Sequence, residues 1–199
     1  DNIIANGVPH NNWDLLQARY IMNVGLVLED NKEYADGKGR EYYIDYVLNR
    51  SGIRQWSLTR LADYGFDAET GIWAECPGYS SVVINDYANF ANQFDNNLHY
   101  DLVKAMPVLS KAVAATPQYL FPNRMICGFG DTHPGYLNTN FFIRMIQNAQ
   151  ANGKKEQEDY FTALLKCLNP ETDADKGEKK NVRVSVNSFF EDKPLKLDS

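Results

Sequence analysis

The stretch that decides the fold is FFIRMIQNAQANGKKEQEDYFTALLKCL, residues 141–168. Phe141, Phe142, Met145, Ile146 and Ala149 stripe its first half, and Tyr160, Phe161, Leu164, Leu165 and Leu168 its second. Spacings of one, three and four residues place each set on one face of an α-helix. Two such segments in succession predict an antiparallel helix hairpin.

The same period extends outward. Leu98, Leu102, Ala105, Leu109 and Val113 mark a further helix, which Pro107 should kink or begin. Ser80 or Ser81 is placed to cap a helix running to about Phe94. Another is expected from about Ile53 to Tyr64, ended by Gly65, and a short one from Arg40 to Asn49. Asn11 or Asn12 can cap a helix through Leu28, with Asp14 in its first turn to suit the dipole. That helix is apolar on most sides, as a buried one is. Between these elements, 31–39, 66–79 and 123–138 read as loops punctuated by glycine and proline. After Pro170 the chain becomes charged, and Val182, Val184 and Val186 then alternate with polar residues as a short strand does. The predicted class is therefore all-α, with a short β lead-in at the C-terminal end.

Composition bounds the function. The 199 residues are 44% apolar and 23% charged, ordinary for a packed domain and too apolar for intrinsic disorder. The densest apolar run, Ile21 to Leu28, is too short to span a bilayer and is broken by Asn23 and Gly25. A net charge of -6 argues against a nucleic-acid partner. Cys76, Cys127 and Cys167 lie far apart and form no metal-type pair, so they are expected to be buried free thiols. The chain begins with Asp1 rather than Met, which reads as a processed product or an excerpt. Aromatic residues reach 13%, with 12 Tyr and 3 Trp; they suit sugar stacking, although large rings also simply fill helical cores.

No nucleophile elbow, phosphate loop, zinc helix or dinucleotide fingerprint is present. Two segments concentrate chemistry at helix starts: His10-Asn11-Asn12-Trp13, and Trp73-Ala74-Glu75-Cys76-Pro77-Gly78-Tyr79-Ser80. Capping, worth about 1 kcal/mol, accounts for an asparagine there, and a turn for Pro77-Gly78. Neither accounts for Trp, Glu and Tyr crowding one turn. In the loop Gly128-Phe129-Gly130-Asp131-Thr132-His133, Asp131 and His133 could ligate a metal, but local hydrogen bonds that shape the loop explain them more simply.

Taken in order, Asn-Asn-Trp in a buried helix, a helical pair, Trp-x-Glu-x-Pro-Gly-Tyr and a Gly-Phe-Gly-Asp loop resemble the heparinase II/III-like polysaccharide lyases, relatives of the chondroitin AC and alginate lyases. The resemblance covers roughly Val8 to Pro170. It implies that 1–170 are the later part of an incomplete (α/α) toroid of antiparallel hairpins. Residues 171–199 would be a charged linker and the start of a β-sandwich domain of the same polypeptide. A toroid so interrupted should leave one helical face unusually apolar. A secreted or periplasmic address is also implied.

The resemblance further implies cleavage of a uronic-acid glycan, such as a glycosaminoglycan or alginate, by β-elimination. The C5 proton, alpha to a carboxylate, is too weak an acid to leave unaided. By resemblance, Asn12 donates to that carboxylate and stabilises the developing charge, and Tyr79 transfers the proton to or from the sugar. Glu75, Trp13, His10 and His133 would line the substrate. Several relatives have His directly after the asparagine, where this chain has Trp13. A second histidine would come from the sandwich, so the fragment alone is expected to be inactive. No cofactor or metal is required by this part. Arg19, Arg124 and Arg144 are the candidates for meeting sulfate or carboxylate groups. The alternatives are a glycoside hydrolase on a helical toroid, for which Glu75 and Asp131 are the one carboxylate pair, and a non-catalytic glycan-binding domain.

Overall fold

The computed structural model describes residues 1–168. The expected linker and strand, 171–199, lie outside them. Among the described residues the chain is all-α, with nine α-helices, two 3₁₀ turns (Asn31–Glu33 and Thr116–Tyr119), three isolated β-bridges and no sheet. No helix among them is long and apolar enough to cross a membrane.

Helix α1 (Asn2–Asn6) precedes α2 (Asn12–Val27), whose start is set by Asn11: its side chain accepts from the Trp13 amide. α3 (Arg40–Leu48) returns along α2. Close approach is possible because α2 carries Gly25 there; a Cβ at that position would stand 3.1 Å from Ile44 Cδ1. α4 (Leu58–Gly65) starts five residues later than the periodicity predicts. The reason is a distant competitor. The buried Asp14 carboxylate accepts the Trp56 amide at 3.2 Å and also the Gln55 side-chain amide, holding 55–56 out of helical geometry. Ser57 then caps α4.

α5 (Pro77–Leu98) is the central helix. It begins at Pro77 rather than beyond Ser80. Proline lacks the N–H that a first helical residue leaves unused, and Ser81 Oγ turns back to the Gly78 carbonyl at 2.7 Å. Tyr79 therefore stands in the first turn of a helix, not in the preceding loop. The helix expected around Pro107 is two, α6 (Leu102–Ala105) and α7 (Val108–Ala115), with the proline between them. α8 (Asn140–Ala151) and α9 (Lys155–Leu168) form the predicted hairpin, and α8 packs on α5. Phe141, Phe142, Met145 and Ile146 are fully buried there, each contributing about 1.5–3 kcal/mol. On α9 Phe161 is buried while Tyr160 faces solvent.

Two expectations about surfaces resolve differently. Trp13, Tyr20, Val24 and Val27 of α2 are exposed, and Tyr20 and Val24 join Ile3, Ile4, Ile21 and Tyr43 around an apolar groove of about 260 Å³. The cysteines are free but not buried: Cys76 and Cys127 are half-buried and Cys167 is exposed. Cys76 is the N-cap of α5, and Cys167 lies on the outer part of α9.

Candidate functional site

The sequence-predicted residues fall into two groups, each at the start of a helix that packs on the other: Asn12, Trp13 and His10 at α2, Glu75 and Tyr79 at α5.

At α2, Asn11 does the capping, so the Asn12 side chain is not consumed by the cap. Trp13 is 57% exposed. His10 has left-handed backbone (φ 77), uncommon for a residue with a side chain. Its ring lies 4.0 Å from that of Trp56 and edge-on to Tyr64 at 5.9 Å. The Arg60 guanidinium also sits on Trp56, 3.9 Å from the ring centre. Beneath this cluster, burial pushes the Asp14 carboxyl up to about 7, against the lowering effect of the Trp56 and His10 amides, Arg60 and Gln55.

At α5, Trp73 is buried flat against Gly65: a Cβ on Gly65 would lie 2.0 Å from Trp73 Cζ3. The Trp73 indole N–H donates to Glu75 Oε2 at 2.7 Å. That bond anchors the Glu75 carboxylate just ahead of α5. The 123–138 loop folds over the same end. Thr132 Oγ1 accepts the Gly78 amide at 2.9 Å, and the Tyr79 hydroxyl donates to Asp131 Oδ2 at 3.2 Å. Gly130 (φ 63) passes so close that a Cβ would stand 2.9 Å from Cys76 Cβ. His133 follows in this loop and is exposed, so it lies at the Tyr79 end of the molecule.

The electrostatics assign states. The bond to Asp131 and its negative charge raise the Tyr79 pKa, so the phenol stays protonated. Burial pushes the Cys76 thiol up, but Thr132 and the amides of Tyr79, Asp131 and Gly78 outweigh it, and the net shift is downward.

α4 bridges the groups: Tyr64 touches His10, and the next residue, Gly65, carries Trp73 and through it Glu75. Sequence reasoning missed the Tyr79–Asp131 pair, reading Asp131 as locally bonded; its partner is 52 positions away. It also missed Tyr64 and Arg60: their spacing of eight and four from Trp56 is helical, but nothing local shows that His10 joins the cluster. Of the three arginines, Arg19 and Arg144 come to α5, while Arg124 turns to the Leu168 carbonyl at 3.5 Å.

Comparison with known proteins gives one match. A family model described as the endo-acting ulvan lyase 2nd domain matches residues 69–197, which include Glu75, Tyr79, Asp131 and His133. No curated protein and no solved structure matches the chain.

Proposed function

The chain belongs to the endo-acting ulvan lyase second-domain family, a family of polysaccharide lyase domains, and on that premise we propose that it forms the helical part of an enzyme cleaving a uronate-bearing anionic glycan by β-elimination. Ulvan is the first substrate to try. The observation that carries the reading is the Tyr79 hydroxyl donating to Asp131 at the start of α5, a bond that raises the Tyr79 pKa. A phenol kept neutral is equipped to give a proton, so Tyr79 is the general acid for the leaving oxygen.

The remaining roles follow from the chemistry. The Asn12 amide and the exposed N–H groups at the start of α2 meet the uronate carboxylate, which carries charge as the C5 proton leaves. A base takes that proton, the C5–H electrons form the C4–C5 double bond, the C4–O4 bond breaks, and Tyr79 protonates O4. His10 and His133 are the imidazoles at the mouths of the two loops and the candidates for the base. Trp13 and Tyr64 offer ring faces to the sugar chain, and Glu75 positions the turn that carries Tyr79.

Two features support a shared cleft. α4 touches both helix starts, and the Arg19–Asp86 ion pair joins α2 and α5 seven residues along from Asn12 and from Tyr79 respectively. In this reading α1–α9 are the later part of a heparinase-like toroid, 171–199 lead to a β-sandwich, and the polymeric substrate is met in a secreted or periplasmic setting. The test is product chemistry. Intact enzyme incubated with ulvan and other uronate polysaccharides should release unsaturated uronate absorbing in the near ultraviolet. New reducing ends without that absorbance would mean hydrolysis and overturn the reading.

A further inference from the structure

Trp56 is covered by a cation and by rings. The His10 ring lies 4.0 Å from it, the Arg60 guanidinium carbon stands 3.9 Å over its ring centre, and Tyr64 meets it edge-on at 5.2 Å. Trp56 is buried beneath them, whereas Arg60 and Tyr64 are exposed. These two are four residues apart on α4, neighbours on one side of the helix and about 6 Å apart along its axis. Asp14 ties the cluster to the start of α2, since its carboxylate takes both the Trp56 amide and the His10 amide. Asn12 follows His10 by two residues, which holds their Cα atoms within about 7 Å of each other.

The stacking decides what Arg60 can still bind. A guanidinium laid over a ring uses its face, and its N–H donors, which lie in its plane, remain at the rim. Among the described residues the Arg60 side chain donates no hydrogen bond and makes no ion pair. Asp63, three residues further along α4, does not pair with it, and the Asp14 oxygens below are occupied by two backbone amides and the Gln55 side chain. An arginine anchored by its face and open at its edge is a preformed fork for an oxyanion, and little side-chain freedom is left to lose on binding. We propose that Arg60 forms an acidic-sugar subsite beside the start of α2, its free edge taking a carboxylate or sulfate ester of a sugar next to the one being cut. The inference rests on the lyase reading above and adds the group that selects a charged neighbour to the reacting sugar. Tyr64, one turn along, gives that neighbour a ring to lie on.

The experiment compares intact wild-type enzyme with Arg60→Gln, Arg60→Lys and Arg50→Gln, on a uronate polysaccharide with sulfate esters and on the same polymer desulfated. Arg50 also lies over a ring, 5.1 Å from that of Tyr42, but is paired with Asp45 at 2.7 Å, so it is the control. Arg60→Gln should raise KM by roughly 10-fold, the scale of a lost hydrogen bond to a charged group, with a much smaller change in kcat. Arg60→Lys keeps a cation on Trp56 but loses the fork, so KM should rise by less. Arg50→Gln should keep the wild-type KM. A rise confined to the sulfated polymer identifies a sulfate; a rise on both identifies the carboxylate. Added salt should weaken wild-type binding more than that of Arg60→Gln. An Arg60→Gln protein that melts normally and keeps the wild-type KM on both polymers overturns the proposal. So does an equal rise in Arg50→Gln, which would be an effect of bulk charge. If Arg60→Gln fails to fold, Arg60→Lys is read in its place, and a wild-type KM in it overturns the proposal. If wild type makes no unsaturated product, the lyase reading falls separately. Retention on immobilised polyuronate, sulfated and desulfated, then decides the subsite: equal retention of wild type and Arg60→Gln overturns it, and loss in Arg60→Gln upholds it.

Discussion

Asp14→Asn gives the sharpest test of the packing around the α2 start. The wild-type carboxyl is raised from 3.8 to about 7, burial being the main cause. A raised folded-state value means that between about pH 4 and about pH 7 the folded protein keeps a proton that the unfolded chain has lost. Stability from this residue is therefore full below about pH 4 and falls as pH rises through about 7. The gap of about three units corresponds to roughly 4 kcal/mol, a large part of the stability of a domain. Asparagine keeps an acceptor for the Trp56 amide and cannot ionise. Urea unfolding of both proteins across this range, by tryptophan fluorescence, should show Asp14→Asn gaining roughly 4 kcal/mol relative to wild type from the acidic to the alkaline end. Taking the difference cancels the other carboxyls, among them Asp86 and Asp95, which burial also raises. Parallel profiles would refute the reasoning, because Asp14 would then ionise in the folded state as easily as in the unfolded one.

Tyr79→Phe should leave thermal melting nearly unchanged, since the lost hydrogen bond is solvent-exposed and water competes for both partners. Formation of unsaturated product should fall about 100- to 10,000-fold; near-full activity would remove Tyr79 from the mechanism. Asp131→Asn withdraws the charge that raises the Tyr79 pKa, so the alkaline limb of the pH–rate profile should move to lower pH, and an unmoved limb would deny the coupling. Gly65→Ala drives a methyl into the Trp73 ring. It should cost about 1–3 kcal/mol and red-shift tryptophan emission in the folded state, and a variant that melts like wild type would show that the ring has room to shift.

What the sequence disclosed was whatever depends on neighbours along the chain. The α8–α9 hairpin was legible because Phe141, Phe142, Met145 and Ile146 lie on one helical face. The α2 cap was legible because Asn11 serves a backbone amide two residues away. The errors arose where a distant group outbid the local one. α4 begins late because Asp14 holds the Trp56 amide from 42 positions away. α5 begins before the serines that could cap it, because Pro77 supplies the first turn. At the candidate site, the Trp–Glu–Tyr crowding was visible as an oddity of composition. The Asp131 carboxylate that holds the Tyr79 hydroxyl was not, since no periodicity connects a helix start with a loop 52 residues away. The convergence of Arg19 and Arg144 on one patch of α5 was equally invisible, because it depends on which helices pack together.

The attachment of the 123–138 loop to α5 also bears on how the site opens. Its fastenings, Gly130 against Cys76, Thr132 on the Gly78 amide and Asp131 on the Tyr79 hydroxyl, all fall within one turn at the helix start. A hinge needs one end loose, and here the grip is concentrated where the substrate would arrive. Motion that freed Tyr79 by swinging the loop would also unseat Thr132 and expose the amide it covers. Rotation of the Tyr79 side chain alone breaks only one contact. The Gly78 amide is therefore expected to exchange its hydrogen slowly, whether or not a glycan is present. Freeing Tyr79 would then require only a ring pivoting within a fixed wall, a nanosecond event rather than a microsecond one.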